Sequence, residues 1–272
     1  MSFSLSEWLN LALRWFHVFA GILWIGQTYY FTWLDAQLRK GEKSSDKSGG
    51  APAVWMVHSG GFYTVEKQKE LRVPTVQVHW FRWEAAFTWL SGFLLLILVY
   101  YFGGAMLDDN VSSIQLWGAI AVGIGTMLAG WAIYDLAVRT PLAKSSGLFA
   151  SFAFIAIVGA TFGLTRVISG RAAYIHIGAM FGTVMFLNVW MRILPAQRRL
   201  IAAASGGAPF DQSLADQAKL RSKHNTFLAI PVVFIMISNH FPVATYGSSY
   251  NWAILSALVL AGWGAAKIVR RA

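Results

Sequence analysis

The chain has 272 residues, of which 56% are hydrophobic and only 12% are charged, and its mean hydropathy is +0.51. A composition this apolar excludes an ordinary soluble domain and is typical of an integral membrane protein. The formal net charge is +10 at pH 7, and the absence of cysteine excludes disulfides, thiolate metal sites, iron–sulfur clusters and covalently attached c-type haem within this chain.

Apolar segments of roughly 20 residues recur along the chain, which is the length that a helix needs to cross the hydrocarbon core of a bilayer. Helices are expected because an open sheet edge would leave backbone groups without partners in lipid. We predict seven spans, at about 8–34, 76–102, 113–136, 146–167, 172–194, 223–241 and 250–268. The sixth is short and contains Pro231, so six spans is the alternative count. The predicted fold class is an all-α, polytopic bundle of membrane helices that forms one integral domain over residues 1–272.

The first predicted span has no positive residue before it and is longer than the apolar core of a secretory signal peptide. We therefore interpret it as a membrane helix.

Most of the 22 lysines and arginines fall in alternate loops. They are Arg39, Lys40, Lys43, Lys47, Lys67, Lys69 and Arg72 after the first span, Arg139 and Lys144 after the third, Arg198, Arg199, Lys219, Arg221 and Lys223 after the fifth, and Lys267, Arg270 and Arg271 in the tail. By the positive-inside rule the amino terminus is outside and the carboxyl terminus is cytoplasmic, which requires an odd number of spans. The positive charge therefore indicates topology and not a nucleic-acid partner, with contact to anionic lipid as a secondary interpretation.

Two cytoplasmic loops are predicted, at about 35–75 and about 195–222. In the first, KGEKSSDKSGGAP is polar and rich in Gly and Ser, which is typical of a mobile loop. The following VWMVHSGGFYTVEKQKELRVP mixes aromatic residues with charge, so we expect it to lie along the membrane interface or to fold back over the inner helix ends. In the second loop Asp211 is a candidate cap for a short helix.

Five of the six histidines fall within or at the edges of predicted spans, where ionisable side chains are costly and mark candidate functional sites. A single histidine at a helix end is equally compatible with a hydrogen bond to interfacial water. Because several helices supply histidines at similar depths, we predict that they bind the iron of one or two b-type haems. The candidate ligands are His17, His176 and His240 in the outer half and His79 with His224 on the inner side.

The inner side also carries charged and amide side chains, namely Arg82 and Glu84 in the second span, Asp135 at the end of the third, and Asn188 and Arg192 four residues apart in the fifth. An arginine beside a carboxylate is compatible with simple neutralisation or with snorkelling to the interface. The alternative is a polar cavity open to the cytoplasm, in which Arg82 or Arg192, with Asn188, binds a planar anion.

Five blocks carry a family resemblance: HVFAGILWIGQTYYF, VHSGGFYTVEKQK, HWFRWEAAFTWLSGF, RAAYIHIGAMFGTVMFLNVWMRILPAQRR and HNTFLAIPVVFIMISNHFP. In this order, over nearly the whole chain, they resemble the membrane-bound bacterial urate oxidase family, also called urate hydroxylase. The resemblance implies oxidation of urate to 5-hydroxyisourate in purine degradation, at the bacterial inner membrane, with electrons leaving through cytochrome c instead of forming hydrogen peroxide. Typical members carry a cytochrome c domain after a last span, whereas this sequence ends at KIVRRA, so we expect a separate cytochrome or respiratory-chain acceptor.

Together these observations predict a mechanism. Arg82 or Arg192 binds the urate anion, the loop that bears His58 closes over it, and Glu84 or His58 removes a proton as electrons depart. Two other classes stay open from the sequence: a transporter or channel for a purine or another anion, and a haem-bearing electron-transfer subunit without a substrate of its own.

Overall fold

The computed structural model describes residues 4–45, 52–67 and 78–271. In chain order its elements are α1 (Leu5–Ser45), β1 (Ala53–His58), β2 (Gly61–Glu66), α2 (Trp83–Leu95), α3 (Leu116–Val138), α4 (Ser146–Leu164), α5 (Gly170–Leu187), α6 (Leu194–Ser205), α7 (Gln212–Ser238) and α8 (Asn251–Val269). The predicted all-α class is confirmed, with one small hairpin added.

Six helical segments of the described chain are long and apolar enough to cross a membrane. They are Leu5–Gly41, Trp83–Tyr101, Leu116–Val138, Ser146–Leu164, Gly170–Ser205 and Asn251–Val269. The protein is therefore a multi-pass membrane protein. Its orientation, with the amino terminus outside, stays a prediction.

Helix α7 joins the same two ends of the bundle as these six segments, although its first half is polar. Near its beginning, Arg221 donates a hydrogen bond to Asn188, at the end of α5. Just past its end, Asn239 accepts hydrogen bonds from Tyr100 and Arg171, which lie at the opposite end of the bundle. Helix α7 therefore runs between the two ends of the bundle, and the predicted seventh membrane crossing stays a prediction.

Two predicted helix boundaries were wrong. Helix α2 begins at Trp83 and not near residue 76, so the described residues 78–82 precede it. The error arose because the hydrophobic pattern continues through this segment without a capping residue. Helix α1 extends to Ser45, well beyond residue 34, and a pair between Asp35 and Arg39 at 3.3 Å supports this polar extension.

Helix α6 and the first turns of α7 occupy most of the cytoplasmic connection predicted at about 195–222, whose side of the membrane stays a prediction. Asp211 does cap the second of these helices, since its carboxylate accepts a hydrogen bond from the Leu214 amide at 3.0 Å. The helix that it begins is not short, however, but continues into the membrane segment that ends at Ser238.

Two helices contain π-helical turns, at Leu96–Tyr101 and Asn188–Ile193. Each wide turn changes the direction of the side chains that follow it, and such turns are frequent at functional sites. The second turn contains both Asn188 and Arg192. These residues are four positions apart, but in a π-helical turn that spacing does not place them on one face as it would in a regular α-helix.

Helix α5 lies at the centre of the bundle, with Tyr174, His176 and Ile177 fully buried. Neighbouring helices approach closely where they carry glycine. A Cβ at Gly262 of α8 would lie 2.7 Å from the ring of Pro231, so glycine gives room for the proline within α7.

Strands β1 and β2 form an antiparallel hairpin in the segment predicted as a loop, with His58 paired to Gly61. Ser59 and Gly60 make the turn with positive φ angles of 50° and 76°, as a two-residue hairpin turn requires. Tyr30 of α1 donates a hydrogen bond to the sulfur of Met56, so the hairpin packs against α1. This contact agrees with the expectation that the segment folds back on the helices.

Candidate functional site

The start of α2 contains buried polar atoms without partners. Among the described residues, Arg82 Nε, Glu84 Oε2 and Trp190 Nε1 are buried and make no hydrogen bond. Leaving such a group unpaired costs about 1–3 kcal/mol, and more when it is charged. Unpaired buried donors and an acceptor therefore indicate a place where a ligand supplies the missing partners.

Aromatic rings orient the Arg82 guanidinium. Its central carbon lies 5.3 Å from the ring centroid of Trp83 and 5.9 Å from that of Trp190. The two indoles meet edge to face at 5.7 Å. We call Arg82, Trp83, Glu84 and Trp190 the inner cleft, after the side on which the predicted topology places them. Arg82 offers a forked cation beside the flat faces of two indoles, and Glu84, in the first turn of α2, adds a carboxylate. These groups suit a planar anion that also carries N–H groups.

Arg192 does not offer the free donors that the sequence suggested. It donates to both carboxylate oxygens of Asp135, from Nε at 2.9 Å and from Nη2 at 2.6 Å. Arg221 pairs with the same carboxylate at 2.8 Å, and Arg139 also contacts it. This arrangement is the neutralising pair that the sequence left open, with three arginines on one carboxylate.

Asn188 is also engaged within the protein. Its amide nitrogen donates to Tyr134 Oη at 3.0 Å and to Asn225 Oδ1 at 2.8 Å, and its oxygen accepts from Arg221 at 2.9 Å. His224 Nδ1 lies 3.0 Å from the same Tyr134 hydroxyl. Asn188 therefore ties helices α3, α5 and α7 together, and its predicted contact with substrate stays untested.

A cavity of about 350 Å³ lies in the other half of the bundle, between α1, α2, α5 and α7. We call it the outer cavity. Its lining includes His17, His240 and the glycines Gly92, Gly178 and Gly182. The volume falls in the usual range for small-molecule and cofactor sites.

The His17 ring is held in one orientation. Its Nδ1 lies 3.0 Å from the Thr88 carbonyl oxygen and 3.0 Å from Ser91 Oγ. A carbonyl acceptor requires a proton on Nδ1, which leaves Nε2 with a lone pair. A Cβ at Gly92 would lie 2.9 Å from Cε1 of this ring, so only glycine permits the approach. Histidines that ligate metals in proteins are usually oriented by such a bond.

The structure separates His176 from the other two outer histidines. His176 is fully buried, its Nδ1 lies 2.8 Å from the Ala172 carbonyl oxygen, and its Nε2 lies 3.3 Å from Tyr101 Oη. Both ring nitrogens are thus occupied by protein groups. This environment matches the packing interpretation better than a role as iron ligand.

The inner histidines lie in different surroundings. His79 precedes α2 and is exposed, with its ring against Phe81 at 4.5 Å. His224 stacks on Phe149 at 4.9 Å and bonds to Tyr134. The placement of His79 inside a span was therefore wrong, and no contact in the described part of the chain brings it to His224. His58 is exposed on the hairpin, and its closure over a substrate stays a prediction.

The sequence reasoning missed a series of aromatic contacts that connects the two regions. From the inner cleft, Trp83 contacts Trp190 at 5.7 Å, Trp190 contacts Phe186 at 6.1 Å, and Phe186 stacks on Trp89 at 4.8 Å. Trp89 then stacks on Phe93 at 5.4 Å, and both line the outer cavity. Their spacing along the sequence gave no signal, because aromatic residues are common at membrane interfaces.

Fold and site together define a multi-pass helical membrane protein with a charged, aromatic cluster at one end and an apolar cavity near the other. The chain belongs to the urate oxidase N-terminal family, whose model matches residues 3–270. No curated protein and no solved structure matches the chain. The family resemblance is confirmed, and an oxidoreductase-type function related to urate follows at that coarse level.

Proposed function

We propose that this protein oxidises urate to 5-hydroxyisourate at the inner cleft, and that the electrons leave through b-type haem in the outer cavity to a separate cytochrome or respiratory acceptor. The observation that carries the proposal is the unpartnered set of Arg82 Nε, Glu84 Oε2 and Trp190 Nε1 in a member of a urate oxidase family.

Urate suits the inner cleft chemically. It is a planar monoanion at neutral pH with several ring N–H groups and carbonyl oxygens. Arg82 is suited to its charge and its oxygens, the indoles of Trp83 and Trp190 to its ring, and Glu84 to one of its N–H groups. Cations around Asp135 add positive charge on the same side of the bundle, which favours entry of an anion.

The reaction requires a base and an electron acceptor. Urate and water give 5-hydroxyisourate, two protons and two electrons. The Glu84 carboxylate accepts a ring proton of urate, and water then adds to the oxidised ring. Arg82 holds urate in place while the charge of the urate ring changes during the oxidation.

We place the b-type haem in the outer cavity, because no contact among the described residues brings His79 and His224 together. His17 and His240 both line this cavity, so they would hold the iron. A haem bound there would supply one-electron chemistry to a two-electron oxidation. Gly182 leaves open space in the lining, since a Cβ there would meet no atom within 4 Å, and Arg14, also in the lining, could pair with haem carboxylates. This proposal does not use His176, whose two ring nitrogens contact protein groups.

Urate consumption with ferricyanide as an artificial electron acceptor tests the proposal without assuming the natural acceptor. Purified protein should bleach the ultraviolet absorbance of urate under anaerobic conditions and reduce about two ferricyanides per urate. If urate stays intact but crosses the membrane of sealed vesicles that contain the protein, the chain is a transporter and the proposal fails.

A further inference from the structure

We propose that a second cavity in the bundle binds a lipid-soluble quinone, which accepts the electrons of urate oxidation. This inference rests on the proposed function, because it names the acceptor of the same reaction. The quinone cavity lies between α3, α4, α5, α7 and α8 and has a volume of about 520 Å³.

The walls of the quinone cavity are almost entirely apolar. Small side chains keep it open where a membrane protein would otherwise be packed, and aromatic rings border them. Representative lining residues are Ala129, Ala150, Ala153, Ala156, Phe152 and Phe227. Phe152 and Ala156 are also exposed on the surface of α4, so the cavity opens towards lipid, the phase in which an isoprenoid quinone dissolves.

Polar groups suited to quinone carbonyls lie in the lining. His224 is held by its Nδ1 contact to Tyr134 at 3.0 Å and by stacking on Phe149, which leaves Nε2 for a ligand. Trp263 also lines the cavity, and its Nε1 is buried with no hydrogen-bond partner in the described residues. A benzoquinone has two carbonyl oxygens and therefore needs two such donors.

Protons for the reduction come from lysines in the lining. Lys223 and Lys267 line the cavity and Lys267 is exposed, so their ammonium groups can donate protons to the quinone oxygens and be reprotonated. The Tyr134 hydroxyl accepts from Asn188 and Asn188 accepts from Arg221, so these bonds fix the position of Tyr134 and carry no protons, because amide and guanidinium groups do not release them. The overall reaction balances: urate, water and quinone give 5-hydroxyisourate and quinol, with two electrons and two protons transferred to the quinone oxygens.

Only one layer of helix separates the quinone cavity from the outer cavity. On α5, Met180 and Val184 face the first and Ala179 and Thr183 the second. On α7, neighbouring residues divide between the two cavities in the same way. Electrons that reach the outer cavity therefore need to pass only the layer formed by α5 and α7 to reach the quinone.

A phospholipid would place its acyl chains against the apolar walls and its phosphate near Lys223 and Lys267, which also line the cavity. Acyl chains accept no hydrogen bond, however, so the buried Trp263 indole would stay unpaired. The hydrogen-bonded pair of His224 and Tyr134, together with this unpaired donor in an apolar cavity, favours a quinone.

Photolabelling with a lipophilic azidoquinone tests this site in the purified full-length protein. Peptides from the helices that line the cavity, α3, α4, α5, α7 or α8, should carry the label, and excess decylubiquinone should compete with it. Ala153→Phe, which fills the cavity, should lower the labelling at least tenfold. Ile155→Phe is the matched control, because Ile155 lies on the same helix, is 71% exposed and does not line the cavity, so labelling should be unchanged.

The inference is overturned if labelling is not competed, if it falls equally in both variants, or if it maps to other helices. Ferricyanide separates this failure from that of the proposed function. If the unaltered protein oxidises urate with ferricyanide but shows no competed label, only the quinone inference fails. If it oxidises no urate with either acceptor, the proposed function fails.

Discussion

Within the described ranges, Arg82 is held by stacking and not by an ion pair. Its guanidinium lies over the Trp83 and Trp190 rings, and its Nε has no hydrogen-bond partner among the described residues. Cation–π contacts therefore fix the orientation of the guanidinium. Because these contacts use the aromatic faces, the N–H donors of Arg82 are left for a ligand. Arg192 shows the opposite case, because Asp135 occupies its donors.

Arg82→Lys should weaken urate binding by about 10- to 100-fold, although the charge is kept. The loss follows from removing a charge-assisted hydrogen bond of about 1.5–3 kcal/mol and the planar fork that makes it. Isothermal titration with urate measures the change. Arg198→Lys is the control, because Arg198 also lies over an indole, that of Trp80 at 5.7 Å, but is exposed. Equal affinities in both variants would exclude Arg82 from the substrate site.

Glu84→Gln should retain urate binding but lower the turnover number by about 10²–10⁴-fold, the usual contribution of a general base. The amide keeps the size of the side chain and loses the ability to accept a proton. Steady-state ferricyanide reduction gives kcat and KM separately. A variant with normal kcat would show that another group is the base.

At the scale of elements, glycine positions decide how closely a helix approaches a histidine ring. Gly92 of α2 faces His17 of α1, and the two residues are far apart in sequence. The π-helical turn that follows α2 ends at Tyr101, whose hydroxyl lies near His176. One irregular helix therefore contacts two of the three outer histidines, His17 through the missing side chain of Gly92 and His176 through the wide turn that ends at Tyr101.

Gly92→Ala should displace the His17 ring and so reduce the haem content by at least half or shift the haem absorption bands. The reason is steric, since the new Cβ would lie 2.9 Å from Cε1 of His17. The pyridine haemochrome assay and the visible spectrum measure both effects. Gly163→Ala on α4 is the control, because a Cβ added there would meet no atom within 4 Å. Unaltered spectra in both variants would remove His17 from the haem site.

At the scale of the whole molecule, Asp135 joins three helical segments. It lies on α3 and binds Arg192 of the second π-helical turn and Arg221 of α7. The Arg221 side chain is nearly fully buried, so its charge depends on this one carboxylate. Breaking a buried pair leaves an uncompensated charge, which costs far more than the pair contributes.

Asp135→Asn should lower the free energy of unfolding by about 3–5 kcal/mol, the usual cost of removing one partner of a buried ion pair. Unfolding in increasing mole fractions of sodium dodecyl sulfate, followed by circular dichroism, measures it. Asp109→Asn, at an exposed position, is the control and should change little. An unchanged unfolding curve for Asp135→Asn would mean that the three arginines do not need this carboxylate.

Features that depend on local composition could be predicted from the sequence. Apolar length placed α3, α4 and α8 within a few residues of their observed ends, and Asp211 was recognised as a cap. The beginning of α2 was missed because Val78, Trp80 and Phe81 continue its apolar pattern without being helical.

The pairings within the site could not be predicted, because they join residues distant in sequence. The contact of Arg192 with Asp135 spans 57 positions, and that of His176 with Tyr101 spans 75. The periodicity of one helix shows which of its side chains share a face. It does not show which side chains of another helix they contact. The hairpin, in contrast, had a local signal in the alternation around Ser59 and Gly60, which the aromatic content of the segment obscured.

The most direct measurement of the central claim is the anaerobic addition of urate to the purified, oxidised protein while its visible spectrum is recorded. The account predicts a haem Soret band that shifts to its reduced position as the urate absorbance falls. A protein that lacks haem absorbance, or whose haem stays oxidised while urate is unchanged, would contradict the account.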